Sequence, residues 1–256
     1  RGLPPLLNRQ PGRQVPAYVR SGGKTLRTGC FLPPVMPVRL KDGPGFASAV
    51  VLSYLCERMK NIVFDLGGVL FARDRHKCSP QILEFFSFLR APRMPRFWEE
   101  YDRGASTLGE VTDILARTTG CPREKCERFL LLSIDMQEPV APTERLVGDL
   151  KAAGYRLYVL SNMSREFIDF LRRFPVYGLF DGEVVSCEEG VVKPEPEIYR
   201  RLLGRYGLDP AQTLFIDDRP ANIAAAAALG IRGQLFDHSA PAATCDLLRR
   251  RLLPRK

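Results

Sequence analysis

Polar side chains that could do chemistry follow directly after three short apolar runs in this chain. Asp65 ends the run NIVFD, Ser161 comes after RLYVL, and Asp217 with Asp218 comes after TLFI. Carboxylates that crowd together repel one another unless a cation lies between them, and hard oxygen ligands without His or Cys favour Mg²⁺. Lys193, in the loop sequence GVVKP, would add a positive charge. Together with the hydrogen-bond donors of Ser161, these groups would bind a phosphoryl group, with Asp65 as the nucleophile.

The apolar runs themselves indicate how these residues would be brought together. From residue 59 onward, predicted strands alternate with predicted helices, and the strands are apolar throughout rather than at every second position. This pattern is typical of strands that are buried on both faces of a parallel sheet. In open α/β sheets the ligand lies beyond the carboxyl ends of the strands. We therefore predict an α/β fold with a Rossmann-like parallel sheet, helices on both of its faces, and the polar residues gathered at one crevice.

The predicted elements also divide the chain. We expect strands at residues 61–65, 156–160, 183–186, 213–216 and 231–236. We expect helices at residues 82–89, 97–101, 107–118, 123–137, 142–153, 164–173, 195–206, 220–229 and about 240–252. The block 71–140 carries no strand signal and interrupts the alternation directly after the first strand. We therefore predict an inserted helical cap at 71–140, with the core formed by 59–70 and 141–256.

Four motifs lie in order along this part of the chain. They are FDLGGVL from residue 64, LSN from residue 160, KPEPEIY from residue 193 and FIDDRPAN from residue 215. Together they resemble the motifs of the haloacid dehalogenase-like hydrolases, and the resemblance covers residues 59 to about 237. The 95 residues between Asp65 and Ser161 are similar in length to the small helical cap of the first subclass of that family. The FDLGGVL form looks like a phosphatase branch that includes glucose-1-phosphatase-like enzymes.

The resemblance implies a function and a role for each site residue. It implies a Mg²⁺-dependent phosphatase that hydrolyses a small phosphorylated metabolite, such as a sugar phosphate, through an aspartyl-phosphate on Asp65. The ion would be bound by Asp65, the backbone carbonyl of Gly67 and Asp218, with Asp217 assisting directly or through water. The oxygen atoms of the phosphoryl group would be held by Ser161, Asn162 and Lys193.

One position departs from the family pattern. Many phosphatases of the family carry a second Asp two residues after the nucleophile as general acid and base, and this chain has Gly67 there. Loss of a general acid typically costs about 10²- to 10⁴-fold in rate. We therefore expect that the leaving group needs little protonation, as in sugar-1-phosphates and acyl phosphates, or that a cap residue or a water molecule replaces the missing acid.

Two other functions remain open at this point. A 2-haloacid dehalogenase would use Asp65 to attack carbon and would need no metal, so the Asp217–Asp218 pair argues against it. A non-catalytic phosphate-binding or regulatory module would have lost its activity with the change at Gly67. Release of phosphate or of halide, with and without Mg²⁺, separates the three.

The charge of the chain is unevenly distributed. The net charge of +9 and the isoelectric point near 9.4 would suit a nucleic-acid partner. Residues 1–58, however, hold nine Lys or Arg and two acidic residues, whereas the other 198 residues hold 29 basic and 27 acidic ones. The basic charge therefore belongs to the leader, and we expect no nucleic-acid partner. The oligomeric state is not readable from the sequence.

The leader at residues 1–58 differs in composition from the rest. It holds eight Pro and seven Gly and has no sustained apolar periodicity. Such a segment buries too little apolar surface to offset its ordering entropy, so we predict disorder or loose packing. Because Met59 directly precedes Lys60 and a strong strand, our hypothesis is that Met59 is the natural first residue.

The cysteines and the hydropathy of the chain bear on metal binding, disulfide bonds and membrane insertion. The seven cysteines form no CxxC pair, and only two histidines are present, which argues against a zinc site and a disulfide framework. No run of 18 apolar residues occurs, so no membrane-spanning helix is expected. We therefore expect reduced thiols, a cytoplasmic location and no membrane partner.

Overall fold

The computed structural model describes residues 59–73, 78–91 and 93–253, which all belong to one compact unit of the chain. The predictions for residues 1–58 lie outside this part. Among the described residues no helix has the length and apolar character that crossing a bilayer requires. The five cysteines among them are all free, as expected.

A five-stranded parallel sheet forms the centre of the fold. Its strands are β1 (Asn61–Phe64), β4 (Arg156–Ser161), β5 (Gly182–Val185), β6 (Thr213–Asp217) and β7 (Arg232–Leu235), in the spatial order β5-β4-β1-β6-β7. Phe64, the last residue of β1, lies opposite Val159 of β4 and Ile216 of β6. The three central strands therefore end at the same edge of the sheet, directly before the polar residues that follow them. The predicted Rossmann-like α/β fold is confirmed.

Both faces of the sheet are covered, as the apolar runs predict. Ile62 and Phe64 pack in one core cluster, whereas Val63 packs in another, because successive side chains of a strand point to opposite faces. The first cluster is completed by helices α5 (Ala141–Ala152), α6 (Arg165–Leu171) and α10 (Pro241–Leu252). The second is completed by α8 (Pro196–Tyr206) and α9 (Pro220–Ala227). A short helix, α7 (Ser186–Glu189), follows β5.

The edge strand β7 differs from its prediction. It covers Arg232–Leu235 rather than 231–236, and its residues alternate between partly buried and exposed. An edge strand has a neighbour on one side alone, so it buries less side-chain surface than β1 or β4, whose residues are almost all fully buried.

The inserted block has its own apolar core. Its helices are α1 (Pro80–Phe85), α2 (Arg96–Asp102), α3 (Leu108–Thr119) and α4 (Arg123–Asp135), with a 3₁₀ turn at Ser87–Arg90 where the single helix 82–89 was expected. Aromatic side chains pack edge to face around Trp98, which contacts Phe86, Phe88 and Tyr101. Trp98 and Tyr101 are buried in this core.

The expectation of a purely helical block was wrong at both of its ends. Strands β2 (Phe71–Arg73) and β3 (Gln137–Pro139) pair antiparallel, with Phe71 opposite Pro139, and helix α4 consequently stops at Asp135 rather than at 137. Three-residue strands are too short to show a periodicity, and each depends on a partner more than 60 residues away in the chain. The ribbon lies where the chain leaves the region of the sheet and where it returns.

Candidate active site

Asp65 lies at the carboxyl end of β1 and is held by three hydrogen bonds and an ion pair. Its backbone N–H donates to the carbonyl of Ile216, at 2.9 Å. Oδ1 of its carboxylate accepts from the backbone N–H of Leu66 at 2.7 Å and from Oγ of Ser161 at 2.8 Å, and Nζ of Lys193 lies 2.9 Å from the same oxygen. No described residue donates a hydrogen bond to Oδ2. One oxygen of the carboxylate is thus fixed, and the other is left for a ligand.

Lys193 is buried at the centre of the site. Its Nζ donates to Oδ2 of Asp217 at 2.7 Å and to the carbonyl of Leu160 at 2.8 Å, and it forms an ion pair with Oδ1 of Asp65 at 2.9 Å. Burial lowers the pKa of Lys193, but the charges of Asp217 and Asp65 outweigh it and raise the pKa above its usual value of 10.5. Lys193 is therefore a cation held between two carboxylates and a carbonyl.

Asn162 positions the backbone of the lysine loop. Its Nδ2 donates to the carbonyl of Lys193 at 2.9 Å, and its Oδ1 accepts from the backbone N–H of Lys193 at 2.7 Å. The sequence assigned Asn162 to the phosphoryl oxygens, and the structure places its side-chain amide on the lysine loop. Its geometry supports a positioning role.

Asp217 is fully buried and hydrogen-bonded on both carboxylate oxygens. Oδ1 accepts from the backbone N–H of Arg219 at 2.8 Å and from Nδ2 of Asn222 at 3.0 Å, while Oδ2 accepts from Nζ of Lys193 and, at 3.0 Å, from Nδ2 of Asn222. Asn222 belongs to the fourth motif, but sequence analysis gave it no role. The Asp-x-x-x-x-Asn spacing could have indicated this contact. Asn222 follows Asp217 by five residues and lies in the first turn of α9, close to the end of β6.

Asp218 is the least restrained of the acidic residues. Its carboxylate is partly exposed, and Nδ1 of His238 lies 3.9 Å from Oδ2. Burial, followed by the charge of Asp217, raises the pKa of Asp218 above its ordinary value. A Cβ atom on Gly68, which has a φ of +78°, would lie 2.7 Å from Oδ2 of Asp218. The glycine thus leaves the space that this carboxylate occupies.

The charges of the site suit a divalent cation. Carboxylate oxygens of Asp65, Asp217 and Asp218 all lie within 4.8 Å of one another, and Lys193 is the cation that touches two of them. Burial raises the pKa of Asp65 to about 7, Lys193 opposes the rise, and the other two carboxylates add to it. When all three carboxylates are ionised, they exceed the one ammonium by two negative charges, and an all-oxygen donor set is what Mg²⁺ prefers. The residues present fit the ion.

The structure brings most of the predicted site residues into contact. Asp65, Ser161, Lys193 and Asp217 form one hydrogen-bonded cluster, and Asp218 lies beside it. Gly67 lies in the turn that follows Asp65, where a Cβ atom would meet nothing nearer than Cε of Met163, at 3.9 Å.

The end of helix α2 also lies at this site, which sequence analysis did not foresee. Asp102 is close enough to Arg219, Asp65 and Lys193 for their charges to act on its pKa. Arg103, the next residue, forms an ion pair with Glu195, which follows the lysine loop. No motif marks Asp102, because its position depends on how the inserted helices pack.

Comparisons with known proteins agree with this geometry. A family model described as haloacid dehalogenase-like hydrolase matches residues 59–230. The chain is similar to the sesquiterpene phosphatase astK of Aspergillus oryzae, with 29% identity over 196 residues, or 76% of this chain and 97% of that protein. It is also similar to the D-ribitol-5-phosphate phosphatase of Bacteroides thetaiotaomicron, with 26% identity over 64% of this chain and 85% of that enzyme. Two other relatives are longer proteins, and this chain matches only 34% and 17% of their lengths.

Solved structures share the fold. One is a haloacid dehalogenase family enzyme of Bacteroides thetaiotaomicron, in its wild-type form in complex with magnesium and inorganic phosphate. It superposes with a TM-score of 0.55 and 26% identity, over 70% of this chain and 95% of that one.

Proposed function

The chain belongs to the haloacid dehalogenase-like hydrolases, and from that premise we propose that it is a Mg²⁺-dependent phosphatase that acts through an aspartyl-phosphate on Asp65. The observation that carries the proposal is the state of the Asp65 carboxylate. Ser161, Lys193 and the backbone of Leu66 all bind Oδ1, and no described residue binds Oδ2. An oxygen without a donor keeps its lone pairs available for attack on phosphorus.

The surrounding donors support the same reaction. Ser161 and Lys193 both contact Oδ1 of Asp65, so they lie beside the oxygen that would attack and would turn part of these contacts to the phosphoryl oxygens when the substrate binds. Such preorganised donors stabilise the charge that develops in the transition state. Asn162 would act on the phosphoryl group through the lysine loop that it holds. Water would then hydrolyse the aspartyl-phosphate and release phosphate.

The metal ion would be held by Asp65, the backbone carbonyl of Gly67 and Asp218, with Asp217 assisting. When bound, Mg²⁺ would neutralise negative charge on the phosphoryl oxygens. Asp217 already accepts four hydrogen bonds, so its contribution would be mainly to hold Lys193 in place. The magnesium and phosphate in the related Bacteroides structure support this assignment.

The substrate would be a small phosphorylated metabolite such as a sugar phosphate. Support comes from the relatives, whose names include a sesquiterpene phosphatase and a D-ribitol-5-phosphate phosphatase. We propose no nucleic-acid or membrane partner.

The test is phosphate release from p-nitrophenyl phosphate and from a panel of sugar phosphates, with Mg²⁺ and with EDTA. We expect turnover that EDTA abolishes and that Asp65→Asn removes, while a cooperative unfolding transition shows that the variant is folded. Halide release from 2-haloacids without metal would contradict the proposal and support a dehalogenase. Mg²⁺ binding without turnover of any phosphate ester would contradict it in favour of a regulatory module.

A further inference from the structure

The proposed reaction needs a proton that the strand ends do not supply. When Asp65 attacks phosphorus, the leaving oxygen departs with the electron pair of the P–O bond and must be protonated unless it is a weak base. Asp217 accepts four hydrogen bonds, and Asp218 belongs to the proposed metal site. Nζ of Lys193 is held by Asp217, Asp65 and the carbonyl of Leu160. Gly67, two residues after the nucleophile, has no side chain.

Asp102 is an acid that faces this site from the inserted helices. It is the last residue of α2, it is partly exposed, and its carboxylate accepts no hydrogen bond from any described residue. The charged groups that act on it come from several segments: Arg219 before α9, Asp65 after β1, Lys193 in its loop, and Glu99 on α2 itself. The backbone geometry places Asp102 at the same crevice, because Oγ of Ser186 binds the carbonyl of Asp102 and also accepts from the backbone N–H of Met163, the residue after Asn162.

The backbone around Asp102 is anchored on both sides. Oγ of Ser186 donates to the carbonyl of Asp102, and the hydroxyl of Tyr101 donates to Oε2 of Glu166 at 2.7 Å. Gly104, with a φ of +78°, approaches the core so closely that a Cβ atom there would lie 2.5 Å from the carbonyl of Cys187. The end of α2 is thus docked on the core by residues on both sides of Asp102, which fixes the backbone from which the carboxylate extends.

The protonation state of Asp102 suits a proton donor. Burial raises the pKa of Asp102 to about 8, Arg219 and Lys193 oppose the rise, and Asp65 and Glu99 add to it. At neutral pH the group therefore carries a proton. It could give that proton to a leaving oxygen without first taking one from solvent.

We propose that Asp102 is the general acid and base of the phosphatase reaction, a catalytic residue supplied by the inserted helices in place of a side chain at Gly67. The proposal rests on the proposed function. In the first step Oδ2 of Asp65 bonds to phosphorus, the bond from phosphorus to the leaving oxygen breaks, and the Asp102 proton passes to that oxygen. In the second step the Asp102 carboxylate takes a proton from water, the water oxygen bonds to phosphorus, and the Asp65–phosphorus bond breaks. Phosphate leaves, and both aspartates return to their starting states.

The test compares Asp102→Asn with Glu100→Gln, a control on the same helix whose carboxylate pairs with Arg96 on the surface. With an alkyl or sugar phosphate we expect kcat of Asp102→Asn to fall about 10²- to 10⁴-fold and Glu100→Gln to keep the wild-type rate. The wild-type rate should decline as the pH rises above about 8, because the acid loses its proton, and the variant should lack this decline.

p-Nitrophenyl phosphate separates catalysis from structure. Its leaving group is a stable anion that needs no proton, so Asp102→Asn should still form the aspartyl-phosphate rapidly and then hydrolyse it slowly. We expect a burst of one p-nitrophenolate per active site. Equal losses on both substrates without a burst would indicate a structural role and overturn the proposal, as would a wild-type rate on the alkyl phosphate.

A second variant guards against a folding defect. The position of Gly67 has room for a Cβ atom, so an Asp can be introduced there, two residues after Asp65. We expect the double variant Asp102→Asn/Gly67→Asp to turn over the alkyl phosphate at least about 10-fold faster than Asp102→Asn alone. An active wild-type enzyme with an unaffected Asp102→Asn variant would overturn this inference alone, whereas an inactive wild-type protein would overturn the proposed function with it.

Discussion

Nζ of Lys193 donates a 2.7 Å hydrogen bond to Oδ2 of Asp217, and both side chains are almost completely buried. The pair links a loop to the end of β6, and Asp65 shares the same ammonium at 2.9 Å. A buried charge is costly without its partner. The pair therefore matters for stability as well as for the arrangement of the site.

The first prediction concerns the loss of this buried cation. Lys193→Met leaves Asp217 and Asp65 buried without their ammonium, so we expect the free energy of unfolding to fall by about 3–5 kcal/mol. Urea unfolding in the presence of EDTA measures the change. The matched control is Lys151→Met, which breaks a 2.7 Å ion pair with Asp181 whose side chains are more than a third exposed. We expect at most about 1 kcal/mol from that change, and equal losses in the two variants would contradict the prediction.

The second prediction concerns the close approach of Gly68 to Asp218. In Gly68→Ala the new Cβ atom would meet Oδ2 of Asp218 at 2.7 Å, so the carboxylate must move away from its position beside Asp65. We expect Mg²⁺ affinity, measured by titration calorimetry, to fall at least about 10-fold, which corresponds to about 1.4 kcal/mol.

Gly120→Ala is the control for this experiment. Gly120 has a φ of +70°, close to that of Gly68, but a Cβ atom there would meet nothing within 4 Å. Both variants carry the strain of a left-handed residue, about 1–2 kcal/mol, and only Gly68→Ala disturbs the carboxylate. Unchanged Mg²⁺ affinity in Gly68→Ala would place the ion away from Asp218.

The third prediction concerns the dependence of stability on pH. Burial raises the pKa of Glu189, but the hydrogen bonds from Arg205 and Arg201 outweigh it and hold the pKa below its ordinary value of 4.5. The folded state thus favours the charged form, so the stabilisation is present above pH 4.5 and is lost as the pH falls through the lower folded pKa. We expect Glu189→Gln to reduce stability by about 1.5–3 kcal/mol at pH 7, with the difference from wild type shrinking below pH 4.5.

Urea unfolding at a series of pH values measures this difference. The control is Glu197→Gln on α8, whose half-exposed carboxylate pairs with Arg201 one turn away and should contribute about 0.3–0.5 kcal/mol. A constant difference between Glu189→Gln and wild type from pH 3 to pH 7 would contradict the prediction.

The sequence predicted the centre of the site because the site is built on strand ends. Asp65 and Asp217 each end or follow a run of buried apolar residues, and parallel strands that end at one edge bring such residues together. Lys193 was predicted from its motif, and its burial between the two aspartates follows from the loop that Asn162 holds.

The inserted region was less predictable because its structure depends on distant contacts. The strands β2 and β3 are three residues each and exist through their pairing with each other. Asp102 carries no motif, and its place over the crevice depends on Ser186 and on the packing of Gly104 against Cys187. Contacts between residues that are distant in the chain leave no local pattern in the sequence. A buried strand, in contrast, is visible as a continuous run of apolar residues.

The formation of a phosphoryl bond to Asp65 is the central claim, and chemical trapping tests it most directly. The protein is mixed with Mg²⁺ and p-nitrophenyl phosphate, quenched in acid within one turnover, and treated with borohydride, which reduces an aspartyl-phosphate to homoserine. Peptide mass spectrometry should then find homoserine at position 65 and at no other aspartate, and none in Asp65→Asn. Phosphate release with Asp65 unmodified, or homoserine at Asp217 or Asp218 instead, would contradict the account.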